Sequence, residues 1–192
     1  VLAPIAEYPE IQFSLKMRLG WENASECMVL VELLNALRLS RIALHARTGK
    51  QQYKGHPDLE AFQGFYELCQ HPLYYNGDIE SLSDIRQILI RFPLLKGVFI
   101  GRGLLSSPLL AKEFKGNETF LPEQRMSIYF AFHEELFSAY SQVLQGETQL
   151  LVKMKTLWEY FLPETDRKLL KRIKKSTRLQ QYTESVKAIF TS

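Results

Sequence analysis

The chain has 192 residues, 46% hydrophobic and 23% charged, a balance that supports a packed core and excludes a disordered polyelectrolyte. No run of about eighteen apolar residues occurs, so no segment is suited to span a membrane. The net charge of +3 hides a polarity: residues 151–192 hold ten Lys/Arg against four Asp/Glu, and the remainder holds 14 against 17. Such a tail suits a polyanion, or is simply a solvated Lys-rich face, and charge alone does not choose.

The start, Val1-Leu2-Ala3-Pro4, has neither the basic nor the apolar stretch of a signal peptide, and Val1 to Ala6 reads as the end of a helix. Four short apolar runs follow, at 12–20, 41–48, 72–78 and 97–103, each ending in polar or glycine-rich residues. They read as strands with cores at 12–18, 41–46, 72–76 and 97–101. Between the first two, Met28, Val31, Leu34 and Leu37 form one helical face behind N-cap candidates at residues 22–26. Before the last strand, Ile85, Ile88 and Leu89 form another, starting at Ser83 or Asp84. This alternation predicts parallel strands neighbouring in sequence order. Cys27 and Cys69 have no spacing typical of a disulfide framework or zinc site. Both fall on stretches read as helical, which points to buried, inert thiols, no metal, and a reducing, cytoplasmic compartment.

After Pro108 the strand pattern stops. Residues 122–145 carry Ile128, Phe132, Leu136, Tyr140 and Leu144 at helical spacing, with Pro122 at the first position and Gly146 as a stop. Further helices are expected at 150–161, 168–175 and 183–190, as an antiparallel bundle. The domains are then 1–107 and 108–192.

Polar groups gather at the C-terminal ends of the predicted strands: Lys16 and Arg18, His45 and Arg47, Asn76 and Asp78, Arg102. In a β/α barrel that end is the working face, and its usual phosphate site lies behind the seventh and eighth strands. Gly77, Gly101 and Gly103 would let backbone N–H groups approach a phosphate there, with Arg102 as a charged clamp. Each short motif alone is a common turn sequence, and a lone histidine is more often a core residue. Four strand ends in barrel order carry the signal.

These motifs resemble the tRNA-dihydrouridine synthases. Lys16-Met17-Arg18-Leu19-Gly20 is similar to that family's fifth-strand motif, and His45-Ala46-Arg47-Thr48 with Gln52-Tyr53-Lys54-Gly55 to its sixth. Asn76-Gly77-Asp78-Ile79 and Gly101-Arg102-Gly103 resemble the seventh and eighth. The tail, from Leu157-Trp158 through Lys175, resembles the family's RNA-binding helices. The resemblance implies the second half of a TIM-type (β/α)8 barrel followed by an all-α bundle. It implies an FMN enzyme that reduces the C5=C6 bond of uridine in tRNA with NADPH. Lys16, His45, Asn76, Gly77, Asp78, Gly101 and Arg102 would hold the flavin. Arg47 and Tyr53 would face RNA, with Lys168, Lys171, Arg172, Lys174, Lys175 and Arg178 as a basic surface.

The family's first four strands have no counterpart, nor does its Asn-x-Gly-Cys-Pro loop, whose cysteine protonates uracil C5. The catalytic acid is therefore expected in an N-terminal half outside this chain, and the chain alone is expected to be inactive. Residues Gly55-His56-Pro57-Asp58 also depart from the family pattern. An open half barrel implies self-association or completion by a further segment. Two other readings are an inert RNA-binding protein with a relic half barrel, and another phosphate-binding barrel enzyme with an unrelated helical appendage.

Overall fold

Phe13, Leu15, Met17 and Leu19 alternate with Ser14, Lys16 and Arg18, and this two-residue period forms the strand β1, Phe13–Gly20. The structure, a computed structural model, describes Tyr8 and residues 10–191, so the helix end expected at Val1–Ala6 lies outside the described residues. After β1 come α1 (Glu26–Asn35), β2 (Leu39–Thr48), α2 (Leu59–Leu68), β3 (Leu73–Asn76), α3 (Leu82–Arg91) and β4 (Gly97–Phe99). The strands form one sheet in the order β1-β2-β3-β4, and every pair is parallel, as the alternation predicts. β2 is an interior strand, buried without interruption from Ile42 to Arg47.

Leu44 and Tyr75 are in register and share one face of the sheet. On that face the Phe62 ring of α2 meets Tyr75 edge-on at 5.0 Å and Phe92 at 5.0 Å. These aromatic contacts, with buried Phe65, Ile85 and Ile88, lock α2 and α3 onto the strands.

Side chains settle where the helices start. Asp58 caps α2 by accepting from the Ala61 N–H at 2.9 Å. Ser81 and Asp84 cap α3 reciprocally, Asp84 N–H to Ser81 Oγ at 3.1 Å and Ser81 N–H to Asp84 Oδ2 at 2.8 Å. Asp84 is thus the third-position partner of a capping box, and α3 begins ahead of the Ser83 or Asp84 start expected from the sequence. α1 has no side-chain cap at Ser25. Instead the Glu26 carboxylate turns back and accepts from the N–H groups of Trp21, Glu22 and Asn23 at 2.8, 2.9 and 2.7 Å. Cys27 is buried in α1, whereas Cys69 is half-buried and closes α2 in an extended conformation rather than lying in the helix.

Beyond β4 the described residues contain no further strand. They form α4 (Arg102–Ser106), α5 (Leu110–Gly116), α6 (Pro122–Val143), α7 (Glu147–Leu157), α8 (Arg167–Lys175) and α9 (Leu179–Phe190). The chain divides into compact units between Gly101 and Arg102, ahead of the 107/108 boundary read from the sequence. The reason is packing: Leu109 belongs to the helical core, Ser106 O accepts from Leu162 N–H, and Ser107 Oγ bonds Tyr129 Oη at 2.7 Å. Gly146, with φ 87°, precedes α7 in a conformation that favours glycine. α7 begins and ends ahead of the expected 150–161, and the buried Trp158 and Phe161 lie in the turn beyond it. The core of this unit gathers Leu150, Met154, Trp158, Phe161, Ile173 and Tyr182 from α7, that turn, α8 and α9.

Candidate functional site

Register decides which of the strand-end residues meet. Arg18 of β1 pairs with His45 of β2, His45 with Asn76 of β3, and Asn76 with Phe99 of β4. Partners in register in a parallel sheet share a face, so Arg18, His45 and Asn76 form one polar row across three strands. Lys16 lies one step lower on that face, in the row Lys16, Ala43, Tyr74 and Gly97. Its side chain is exposed. Arg18, a polar strand-end group not among the residues expected to hold the flavin, joins that row, and its signal in the sequence is the two-residue spacing from Lys16 along a strand.

The row is held rigidly. Asn76 Nδ2 donates to Phe99 O at 2.9 Å, and Arg18 Nη1 donates to Thr48 O at 2.7 Å. His45 is buried, with Tyr53 tilted beside it at 6.5 Å between ring centroids, and the Arg18 guanidinium lies 6.0 Å from the Tyr53 ring centre. Burial, reinforced by the positive charges of Arg18, Lys16 and Arg47, pushes the His45 imidazole down to about 4. At neutral pH it is an uncharged ring with one donor and one acceptor.

Gly77 follows Asn76 at a place where a Cβ would stand 2.0 Å from the Tyr75 hydroxyl, so a side chain cannot be added there without moving a buried ring. Gly101 differs: it is exposed and no atom lies within 4 Å of its would-be Cβ. Arg102 opens α4, its side chain half-buried.

Arg47 is not placed as the sequence reading expected. It is 1% exposed and donates through Nη1 and Nη2 to both carboxylate oxygens of Asp78, at 2.7 and 2.5 Å. Nη2 also donates to Gly55 O at 2.7 Å, and Nε is buried without a partner. The expectation that Arg47 faces RNA is therefore corrected: a guanidinium enclosed this way has no surface to offer a phosphate. It ties the end of β2 to the residues after β3 and to the loop that carries Tyr53. The Asp78 carboxylate, expected to hold the flavin, is likewise the partner of Arg47. Tyr53 itself is 62% exposed.

In the helical unit the basic residues are sorted by helical phase. Lys168, Lys171, Arg172 and Lys175 follow one another at spacings of three and four along α8 and line a shallow groove of about 400 Å³ with Ser176, Gln181, Glu184 and Ser185. Lys174 and Arg178 are exposed outside that lining, while Leu169, Leu170 and Ile173 face the core. Beneath lies a polar network that sequence reading missed. Trp158 Nε1 donates to Tyr182 Oη at 3.0 Å, and Tyr182 Oη lies 2.6 Å from His133 Nε2. An indole N–H only donates, so Tyr182 Oη accepts from Trp158; with His133 Nδ1–H donating to the Glu134 carboxylate at 3.1 Å, Nε2 of the neutral ring accepts from the Tyr182 hydroxyl. Burial accordingly holds His133 below its ordinary value.

Parallel strands with helical returns and polar strand ends, followed in sequence by a helical unit, define part of a TIM-type β/α barrel and a helical region. The sequence model of the dihydrouridine synthase family matches residues 5–191, and the chain belongs to that family. It is 36% identical over 100 residues to a probable tRNA-dihydrouridine synthase of Rhizobium leguminosarum bv. phaseoli, covering 52% of this chain and 31% of that protein. It is also 36% identical over 105 residues to one of Aquifex aeolicus strain VF5, covering 55% and 33%. To a tRNA-dihydrouridine(16) synthase of Haemophilus ducreyi strain 35000HP it is 30% identical over 105 residues, covering 54% and 32%. The chain thus spans about a third of the length of these relatives.

Proposed function

We propose that this chain supplies the flavin-phosphate-holding and RNA-holding parts of an FMN-dependent tRNA-dihydrouridine synthase, with NADPH as reductant. The observation that carries the reading is the single row of Arg18, His45 and Asn76 across the strand ends, with Lys16 beneath it. Its chemistry suits a flavin: cations from Lys16 and Arg18, a neutral imidazole, and an amide held in place. Gly101, with no atom within 4 Å of its would-be Cβ, leaves the backbone open to a phosphate, and Arg102, next to Gly101 in sequence, adds the charge. Asp78 serves the site through the loop it anchors with Arg47. When bound, FMN supplies the electrons that reduce the uridine C5=C6 bond.

Neither cysteine suits proton donation to uracil C5. Cys27 Sγ donates to Ala24 O at 3.2 Å, and burial pushes both the Cys27 and Cys69 thiols up. Neither thiol therefore takes the place of the cysteine of the family's Asn-x-Gly-Cys-Pro loop. The free thiols fit a reducing, cytoplasmic setting. Among the described residues β1 and β4 are each paired on one side only, and the reading includes addition of strands there, from a further segment or a second copy.

The test is titration of the purified chain with FMN and with tRNA. FMN should bind, and Asn76→Ala or Arg102→Ala should weaken it by tenfold or more, roughly the loss of one charge-assisted hydrogen bond. Changing Lys171, Arg172 and Lys175 to Glu should weaken tRNA binding, most at low salt, and leave FMN affinity unchanged. A chain that binds tRNA but no FMN would instead be an RNA-binding protein with a relic half barrel.

A further inference from the structure

We propose that Trp21 is a stacking platform for an unpaired RNA base, forming with Tyr53 an aromatic rim around Arg18. The inference rests on the RNA-binding reading above and assigns it a residue that the motifs leave out. Trp21 directly follows β1 and is 64% exposed, an uncommon fate for an indole. It is nonetheless held in place. Its N–H donates to Glu26, and its carbonyl accepts from Lys50 N–H at 2.9 Å, one step beyond the Gly49 N–H to Gly20 O bond at 2.7 Å. Three N–H groups on the Glu26 carboxylate fix the turn and hold that acid below its usual range.

The indole lies against the Gly49 backbone. A Cβ there would stand 2.3 Å from Cε3 and 2.8 Å from Cζ3, so only glycine lets the ring settle. One side of the ring is therefore seated and the rest is left to solvent, which contributes little to stability and much to presentation. Gly49 adjoins Thr48, whose carbonyl anchors Arg18, and Arg18 in turn lies by the exposed Tyr53 ring. Exposed Lys54 stands on the same loop as Tyr53, so a cation for the phosphates accompanies π-faces for the bases. Sequence-tolerant binding of single strands is built from that combination. Glu22 is the one carboxylate in this turn besides Glu26, and it is paired with Lys50.

Single-stranded oligouridylate is the probe, with a double-stranded RNA as comparison. Trp158 is buried, so solvent-exposed emission comes from Trp21, and oligouridylate should quench it. Trp21→Ala should lose about tenfold in oligouridylate affinity, with the salt dependence unchanged because no charge is removed. Trp21→Phe should keep most of the affinity, and duplex binding should not move. If the wild-type chain binds oligouridylate and Trp21→Ala binds it equally well, the platform is wrong and the RNA reading stands. If the wild-type chain binds no RNA, both fall. If Trp21 resists acrylamide in the free protein and the sedimenting mass drops with Trp21→Ala, a second copy covers the indole and the platform is overturned.

Discussion

At the scale of single residues, neighbours rather than residue types set the chemistry. His45 would titrate near 6.5 in an unfolded chain but near 4 in the folded one, because burial and the surrounding cations oppose its charge. The unfolded state therefore takes up a proton first as pH falls. The stability His45 contributes is complete above about pH 6.5, is lost as pH falls toward 4, and changes no further below that. Between about pH 7.5 and pH 5 this amounts to about 2 kcal/mol. Urea midpoints at those two pH values should fall less steeply for His45→Asn than for wild type. An identical slope would mean the imidazole titrates normally in the folded protein. His133 shifts in the same direction but lies in the helical unit, so the difference between wild type and variant isolates His45.

At the scale of elements, the Arg47–Asp78 pair joins β2 to the chain after β3 and, through Gly55, to the loop bearing Tyr53. Arg47→Met should cost about 3 kcal/mol, since it leaves a carboxylate without its partner next to the sheet. Part of that cost is relieved by water, because Asp78 is 31% exposed. Asp78→Asn in the Arg47→Met background should recover stability, as read by thermal denaturation; a strictly additive pair would show that the two do not interact. Limited proteolysis between Lys50 and Lys54 should speed up in Arg47→Met, because the loop loses its brace. From the sequence, Arg47 looked like a ligand-facing cation, since a strand's alternation does not reveal what closes over its end. α3 was easier to read: its apolar spacing was visible, and only its start moved, once Ser81 and Asp84 were seen to cap each other.

At the scale of the whole molecule, no helix among the described residues is long and apolar enough to cross a membrane. Each compact unit has its own buried residues, around Phe62 and Tyr75 in one and around Met154 and Tyr182 in the other. β1, eight residues long, has unpaired backbone along one side within the sheet. Such an edge favours addition of another strand. Sedimentation velocity of the 22.3 kDa chain should show concentration-dependent association. A monomer at all concentrations would mean that the edge is protected by its own charges, Lys16 and Arg18 among them.

The parallel order of the sheet, the polar strand ends and the switch to helices after β4 were legible from the sequence. They depend on local period and on glycine and proline punctuation, which are properties of short segments. The four motifs also carried the family, because the chemistry of each lies within a few consecutive residues. Only the tertiary structure decided that Arg18, His45 and Asn76 share one row, since register depends on how strands align. It also decided that Arg47 turns inward to Asp78 while Trp21 stays exposed. In the helical unit, apolar spacing marked Ile128, Phe132 and Leu136 on α6, yet Tyr129 and His133 lie deepest. Their polar atoms are satisfied by partners such as Ser107 and Tyr182, far away in sequence. A hydrogen bond that permits burial of a polar group depends on both partners, and a pattern read along one helix contains only one of them.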